Sequence, residues 1–182
     1  LIFPELRILR TIGRIAFPIF AYQLALGYKH TSNRRAYRNN LLIFGLVAQI
    51  PYMFLNANVE AEFFVFNVIL LFWFATFALA ACEKAKEYFK SDNKNAGKIL
   101  LGILFSVITL GLAILPEFMH LQFNDFGLSY GTYGMLMILL FYLANQNPIK
   151  IIVGFLILSF IGVMSYGISI VYRYSEFSYF EV

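Results

Sequence analysis

No charged residue interrupts the chain between Glu62 and Glu83, between Lys98 and Glu117, or between Lys150 and Arg173. Runs of that length call for a solvent without hydrogen-bonding capacity: crossing bilayer hydrocarbon as a helix takes about 20 apolar residues. Composition points the same way. Of 182 residues, 60% are hydrophobic and 13% charged, against about 25% charged in an ordinary soluble domain. The mean hydropathy is +0.72. A water-facing surface cannot be built from so few charges. The chain therefore reads as all-α, a polytopic transmembrane helical bundle with about six membrane segments, in one domain over residues 1–182. It opens on Leu1 rather than Met, as a sequence trimmed at its start would.

The six segments fall at residues 6–28, 41–55, 64–82, 99–115, 132–144 and 151–172. The second and fifth are short for a full span and are expected inside the bundle, surrounded by protein. A re-entrant segment is the alternative for the fifth. Strands are not expected, because a membrane barrel needs about 10-residue stretches of alternating polarity, and residues 68–74 do not alternate. Pro116 and Pro148 fall where helices four and five should already have ended. Cys82 is the single cysteine, which excludes an intrachain disulfide and a multi-cysteine metal cluster. His120 and Asp125 are too isolated to argue a metal site. No phosphate-cradling glycine loop or nucleophile elbow occurs.

Lys and Arg in short loops mark the cytoplasmic side. Lys29, Arg34, Arg35 and Arg38 follow the first segment. Lys84, Lys86, Lys90, Lys94 and Lys98 follow the third, and Lys150 the fifth. The opposite connections hold Glu60, Glu62, Glu117 and Asp125, with no Lys or Arg. The expected localisation is thus the cell membrane, multi-pass, with the connections after segments one, three and five in the cytoplasm. The tail from residue 173 onward would lie outside. Membrane lipids are the expected partners of the basic loops, and nucleic acid is not, since no basic fold module accompanies the charge.

Several polar residues sit where lipid would penalise them. Arg14 enters the apolar part of the first segment, followed by Ile15-Ala16-Phe17-Pro18. An Arg at mid-span costs about 2.5–3.5 kcal/mol on insertion scales, so it faces a cavity, a partner or a lipid phosphate. Pro18 frees the Arg14 carbonyl and should kink the helix there. His30 ends the same segment beside Lys29, and neighbouring positive charge favours the neutral imidazole a general base requires. An interfacial hydrogen-bonding role for His30 fits the sequence equally well. Gln49 and Asn67 suit interhelical hydrogen bonding. Gly131 and Gly134 would let backbones approach closely, with Tyr130 and Tyr133 at the interface.

Gly13-Arg14-Ile15-Ala16-Phe17-Pro18-Ile19-Phe20-Ala21, Gly27-Tyr28-Lys29-His30-Thr31-Ser32-Asn33 and Ala48-Gln49-Ile50-Pro51-Tyr52 together resemble the TraX family. Asn67-Val68 and Tyr130-Gly131-Thr132-Tyr133-Gly134 stand where that family has similar pieces. The likeness covers residues 8–142. It implies an integral membrane protein of the conjugative type that N-acetylates pilin, distantly similar to transmembrane acyltransferases. Family members begin with a further helix ending in an Asp-His pair, which would precede Leu1. They also tend to carry Arg before the second helix, where Asn40 stands here and Arg38 is the neighbouring substitute.

The resemblance implies acyl transfer from acetyl-CoA to an amine or hydroxyl of a membrane-associated, pilin-like acceptor. His30 would be the base and Arg14 or Gln49 the oxyanion donor. Lys29, Arg34, Arg35 and Arg38 would hold the CoA phosphates, which Arg binds with paired hydrogen bonds. Arg14 and His30 stand about 24 Å apart on a straight helix, so they serve one carbonyl only if the helix breaks at Pro18. A transporter, with Arg14 and Gln49 lining a pathway, and a non-catalytic assembly protein are the alternatives.

Overall fold

The computed structural model describes residues 7–57, 64–91, 95–122 and 126–178, the side chains of 7–15, 55–57, 64, 120–122, 126 and 165–178 excepted. Six helices follow one another: α1 Arg7–His30, α2 Arg34–Ala57, α3 Val68–Lys90, α4 Ala96–Gln122, α5 Gly131–Ala144 and α6 Pro148–Ser178. Each expected segment contains a helix, although residues 64–66, expected to open the third, form a strand. Two of them, α3 and α4, are long and apolar enough to cross a membrane. A bundle of six spans therefore narrows to two clear spans within six helices. At about 1.5 Å per residue the 14-residue α5 reaches only about 21 Å. In α6 the residues with described side chains, Pro148–Met164, form an apolar stretch.

Three asparagines start helices in the way their chemistry dictates, by accepting from backbone N–H groups that the first turn leaves unpaired. Asn33 Oδ1 accepts from Ala36 N (3.0 Å) ahead of α2. Asn67 Oδ1 accepts from Ile69 N and Leu70 N at the head of α3. Asn147 accepts from Ile149 N and Lys150 N at the head of α6, with Pro148 at the first helical position, where its missing N–H costs nothing.

Packing centres on α3 and α5. α1 lies on α5, α2 on α3, α4 on α3 and α5, and α6 on α5. α5 is the buried helix its length foretold, with Met135, Met137 and Ile138 wholly enclosed. Close approach is possible there because Gly134 has no side chain. A Cβ at that position would stand 2.7 Å from a Leu71 methyl and 3.0 Å from the Phe17 ring. The expectation that α2 is likewise enclosed is overturned. It exposes Ile43, Phe44, Val47, Ile50 and Phe54 along one face, an apolar surface suited to lipid.

Two further expectations are corrected. Pro116 lies inside α4, which continues to Gln122; the ring is fully buried, and tertiary packing outweighs the one lost hydrogen bond. α1 likewise runs unbroken through Pro18. Strands do occur: β1 Phe64–Phe66 and β2 Phe126–Leu128 pair in parallel, Phe64 with Phe126 and Phe66 with Leu128. They tie the connection before α3 to the connection after α4, and Ser129 N extends the pairing to Phe66 O (2.9 Å). Three-residue strands are too short to carry an alternation signal.

Candidate functional site

Polar side chains collect at two ends of the bundle, separated along α3 by the sixteen positions from Asn67 to Glu83, about 24 Å of helix.

At the strand end, Gln49 Nε2 donates to Val65 O (3.0 Å) and Gln49 Oε1 accepts from Asn67 N (2.9 Å). Asn67 Nδ2 donates across to Gly45 O (2.7 Å). Tyr52 OH donates to Ser129 Oγ (2.8 Å), which donates in turn to Phe66 O (2.7 Å). The Phe17 and Tyr130 rings stack with centroids 3.8 Å apart. Tyr130 itself has φ 65°, unusual for an aromatic residue. A cavity of about 320 Å³ opens beside it, lined by Val65, Glu117, Tyr130, Thr132 and Tyr133 among others. Gln49 thus has both ends of its amide bound to backbone. Arg14 belongs to the α1 turn preceding Phe17; its side chain lies outside the described residues. Gln49 is held at the strand end, away from His30, and position 14 is kept from His30 because α1 is continuous between them.

At the basic end the predicted residues do converge. Lys29 and His30 occupy the last turn of α1, where positive charge meets the negative end of the helix dipole. Lys29 Nζ donates to Asn145 Oδ1. Gln146 Nε2 stands 3.1 Å from His30 Nε2. Arg34, Arg35 and Arg38 lie on the first turns of α2 rather than in a loop. Polarity marks where lipid stops, while helical hydrogen bonding continues past it. Arg34 and Arg38, four residues apart, share the face toward α3. Arg34 donates to Glu83 through both terminal guanidinium nitrogens, Nη1 to Oε2 and Nη2 to Oε1, the latter at 2.6 Å, and this hydrogen bonding pushes the guanidinium above its ordinary pKa. Arg35 is exposed and has no partner among the described residues.

Aromatic faces carry these cations. Arg34 lies 5.1 Å above the Tyr28 ring, Arg38 4.9 Å above Phe77, and Lys86 4.4 Å above Tyr142. Tyr28 and Tyr142 meet edge to face at 6.1 Å. The void next to this cluster, between Tyr22, Lys29, Asn145 and Gln146, is about 10 Å³, room for about one water molecule. The basic end is therefore an open rim rather than a pocket, able to hold an anion across its surface. Sequence reasoning missed Tyr28, Glu83, Tyr142, Asn145 and Gln146. The Asn-Gln-Asn-Pro turn before α6 was the one readable sign of a structured corner there. No group of His, Cys, Asp and Glu able to hold a metal occurs among the described residues.

A family model described as TraX protein matches residues 1–174. The chain belongs to the TraX family. Over 84 residues, 43% of this chain, it is 32% identical to a probable fimbrial assembly protein FimC, serogroup H1, of Dichelobacter nodosus. That stretch covers 34% of the relative, so this TraX chain spans about a third of it. No solved structure matches. Family membership and the two apolar helices together make this a membrane-associated protein. The TraX motifs divide between the two ends. Tyr28, Lys29 and His30 lie at the basic rim, while Gln49, Asn67 and Tyr130 build the strand end.

Proposed function

We propose that this TraX-family chain is a membrane-embedded acyltransferase that moves an acetyl group from acetyl-CoA to an amine of a membrane-associated, pilin-like protein. The observation that carries the reading is an exposed imidazole, His30, at the same end of the bundle as the cations Lys29, Arg34, Arg35, Arg38 and Lys86. CoA offers several phosphates, and such a rim attracts them from solution. In this reading the rim faces the cytoplasm, following the Lys and Arg bias of the connections. The thioester would lie across the rim, since the adjoining void is too small for it.

The acceptor nitrogen attacks the thioester carbonyl, a C–N bond forms and the C–S bond breaks. His30 takes the proton from the attacking nitrogen and returns it to the departing thiolate, leaving amide and free CoA. Lys29, the residue before His30, is the cation this reading assigns to the oxyanion. Gln49 belongs to the other end, where it braces the bundle.

Purified protein in detergent, supplied with radiolabelled acetyl-CoA and an amine-bearing peptide, tests this. Wild type should label the peptide, and His30→Ala should lose about 100-fold or more, the scale of general-base catalysis. Equal labelling by wild type and His30→Ala removes His30 from the reaction. A second reading, a non-catalytic factor in building surface fibres, draws on the likeness to a fimbrial assembly protein. It predicts no label transfer by any preparation, together with recovery of a fibre subunit bound to the chain. Movement of a solute without acyl transfer would favour a transporter.

A further inference from the structure

We infer that Gln146 positions His30: the turn between α5 and α6 aims its side-chain amide at the imidazole and fixes which ring nitrogen carries the proton. The inference rests on His30 acting as the base.

The turn is built in an unusual way. Ending a helix takes one left-handed residue, a role Asn fills well, and Asn145 does so at φ 51°. Gln146 follows at φ 63°. A second left-handed residue is not needed to end α5, and Gln, unlike Asn or Gly, has no particular tolerance for that conformation. Backbone strain of this kind persists where the surroundings require it. Its effect here is to turn two neighbouring side chains back onto the last turn of α1. Asn145 meets Lys29 and Gln146 meets His30. On the far side Asn147 caps α6 and Pro148 fixes the exit. The corner is therefore anchored at both ends, with the Gln146 amide directed at the ring.

An amide N–H that donates to Nε2 requires a lone pair there, which leaves the proton on Nδ1. Nε2 is then the atom that accepts a proton, and the Gln146 N–H occupies the place that an acceptor N–H would take. The ionisable groups at this end include Tyr28 and Lys29 on α1, Arg34, Arg35 and Arg38 on α2, Glu83, Lys86 and Glu87 on α3, Tyr142 on α5 and Lys150 on α6. Glu83 is bound by Arg34. Among the described residues the Gln146 amide is the group hydrogen-bonded to Nε2, so the amide decides the tautomer.

The test uses the full chain in detergent, with nitrogen-labelled histidine, read by ¹⁵N chemical shifts at about pH 9, where an ordinary imidazole is neutral. The chain has two histidines, and His120→Asn assigns the signals. Wild type should show His30 protonated on Nδ1. Gln146→Glu, whose carboxylate only accepts, should reverse the tautomer to Nε2–H. Gln146→Leu should lose the Nδ1 preference. The same preparations should show acetyl transfer falling about 100-fold in Gln146→Glu, with the loss in kcat rather than KM. A wild-type ring protonated on Nε2, or one tautomer throughout the series, overturns the inference, as does equal transfer by wild type and Gln146→Glu. If the tautomer reverses while no preparation transfers acetyl, wild type included, Gln146 keeps its structural role and the acyltransferase reading falls.

Discussion

Asn67, 4% exposed, concentrates the polar work of the strand end in one side chain. Its oxygen caps α3, its amide nitrogen reaches Gly45 O, and its backbone N–H goes to Gln49. Asn67→Leu removes a cap worth about 1 kcal/mol and the side-chain hydrogen bond to Gly45 O, worth about 0.5–1.5 kcal/mol because that carbonyl keeps its helical donor. Thermal unfolding in detergent should register a loss of about 1.5–2.5 kcal/mol. Asn67→Asp should recover the cap alone. Tyr28 illustrates the opposite case. It is 1% exposed, and its hydroxyl has no hydrogen-bond partner among the described residues. Removing an unpaired buried hydroxyl relieves a desolvation penalty, so Tyr28→Phe should leave the unfolding temperature unchanged or raise it. A fall of several degrees would reveal a partner for that hydroxyl. That Asn67 and Gln49 act as glue between helices could be read from their isolation in apolar runs. Their mutual bond could not, because half of it is a backbone N–H that no side-chain pattern encodes.

The helices themselves were legible as apolar runs, and their ends were not. Glu83, Lys84 and Lys86 look like loop residues by composition, yet they ride the last turns of α3, and Arg34 to Arg38 ride the first turns of α2. This matters for the candidate site: on a helix, Arg34 and Arg38 are fixed over Tyr28 and Phe77, whereas loop cations would be free to search. Helix contacts were legible only where small residues announced them. Gly134 is the best instance, and Gly134→Val should cost about 1–3 kcal/mol by overpacking against Leu71 and Phe17. The same change should loosen α5 from α1, which protease accessibility of the Lys29–Asn145 corner would report. The Arg34–Glu83 pair staples α2 to α3, and Arg34→Lys keeps the charge while forfeiting the planar fork. A rise in the KM for acetyl-CoA with unchanged unfolding temperature would mean the fork also serves the ligand.

Taken whole, the molecule is polarised. One end is cationic and open, the other polar but braced by hydrogen bonds to backbone. The charge bias was visible in the sequence, but the partition of His30 from Gln49 and position 14 was not, since it depends on Gln49 bonding to the strand end and on α1 staying continuous through Pro18. In a Cys82→Ala background, Ser32→Cys and Glu117→Cys place single thiols at the two ends. An impermeant maleimide added to intact cells should label Glu117→Cys and spare Ser32→Cys; the reverse pattern would put the rim outside, away from cytosolic CoA. Exposed electrostatics of this kind are screened by salt, so the KM for acetyl-CoA should rise between low and physiological ionic strength.

The pairing of β1 with β2 also imposes a parity. Two backbones that share hydrogen bonds lie on the same face of a bilayer, so the chain between them makes an even number of crossings. That chain consists of α3 and α4. Either both traverse or neither does, and a topology experiment that found just one of them spanning would contradict the hydrogen bonds themselves.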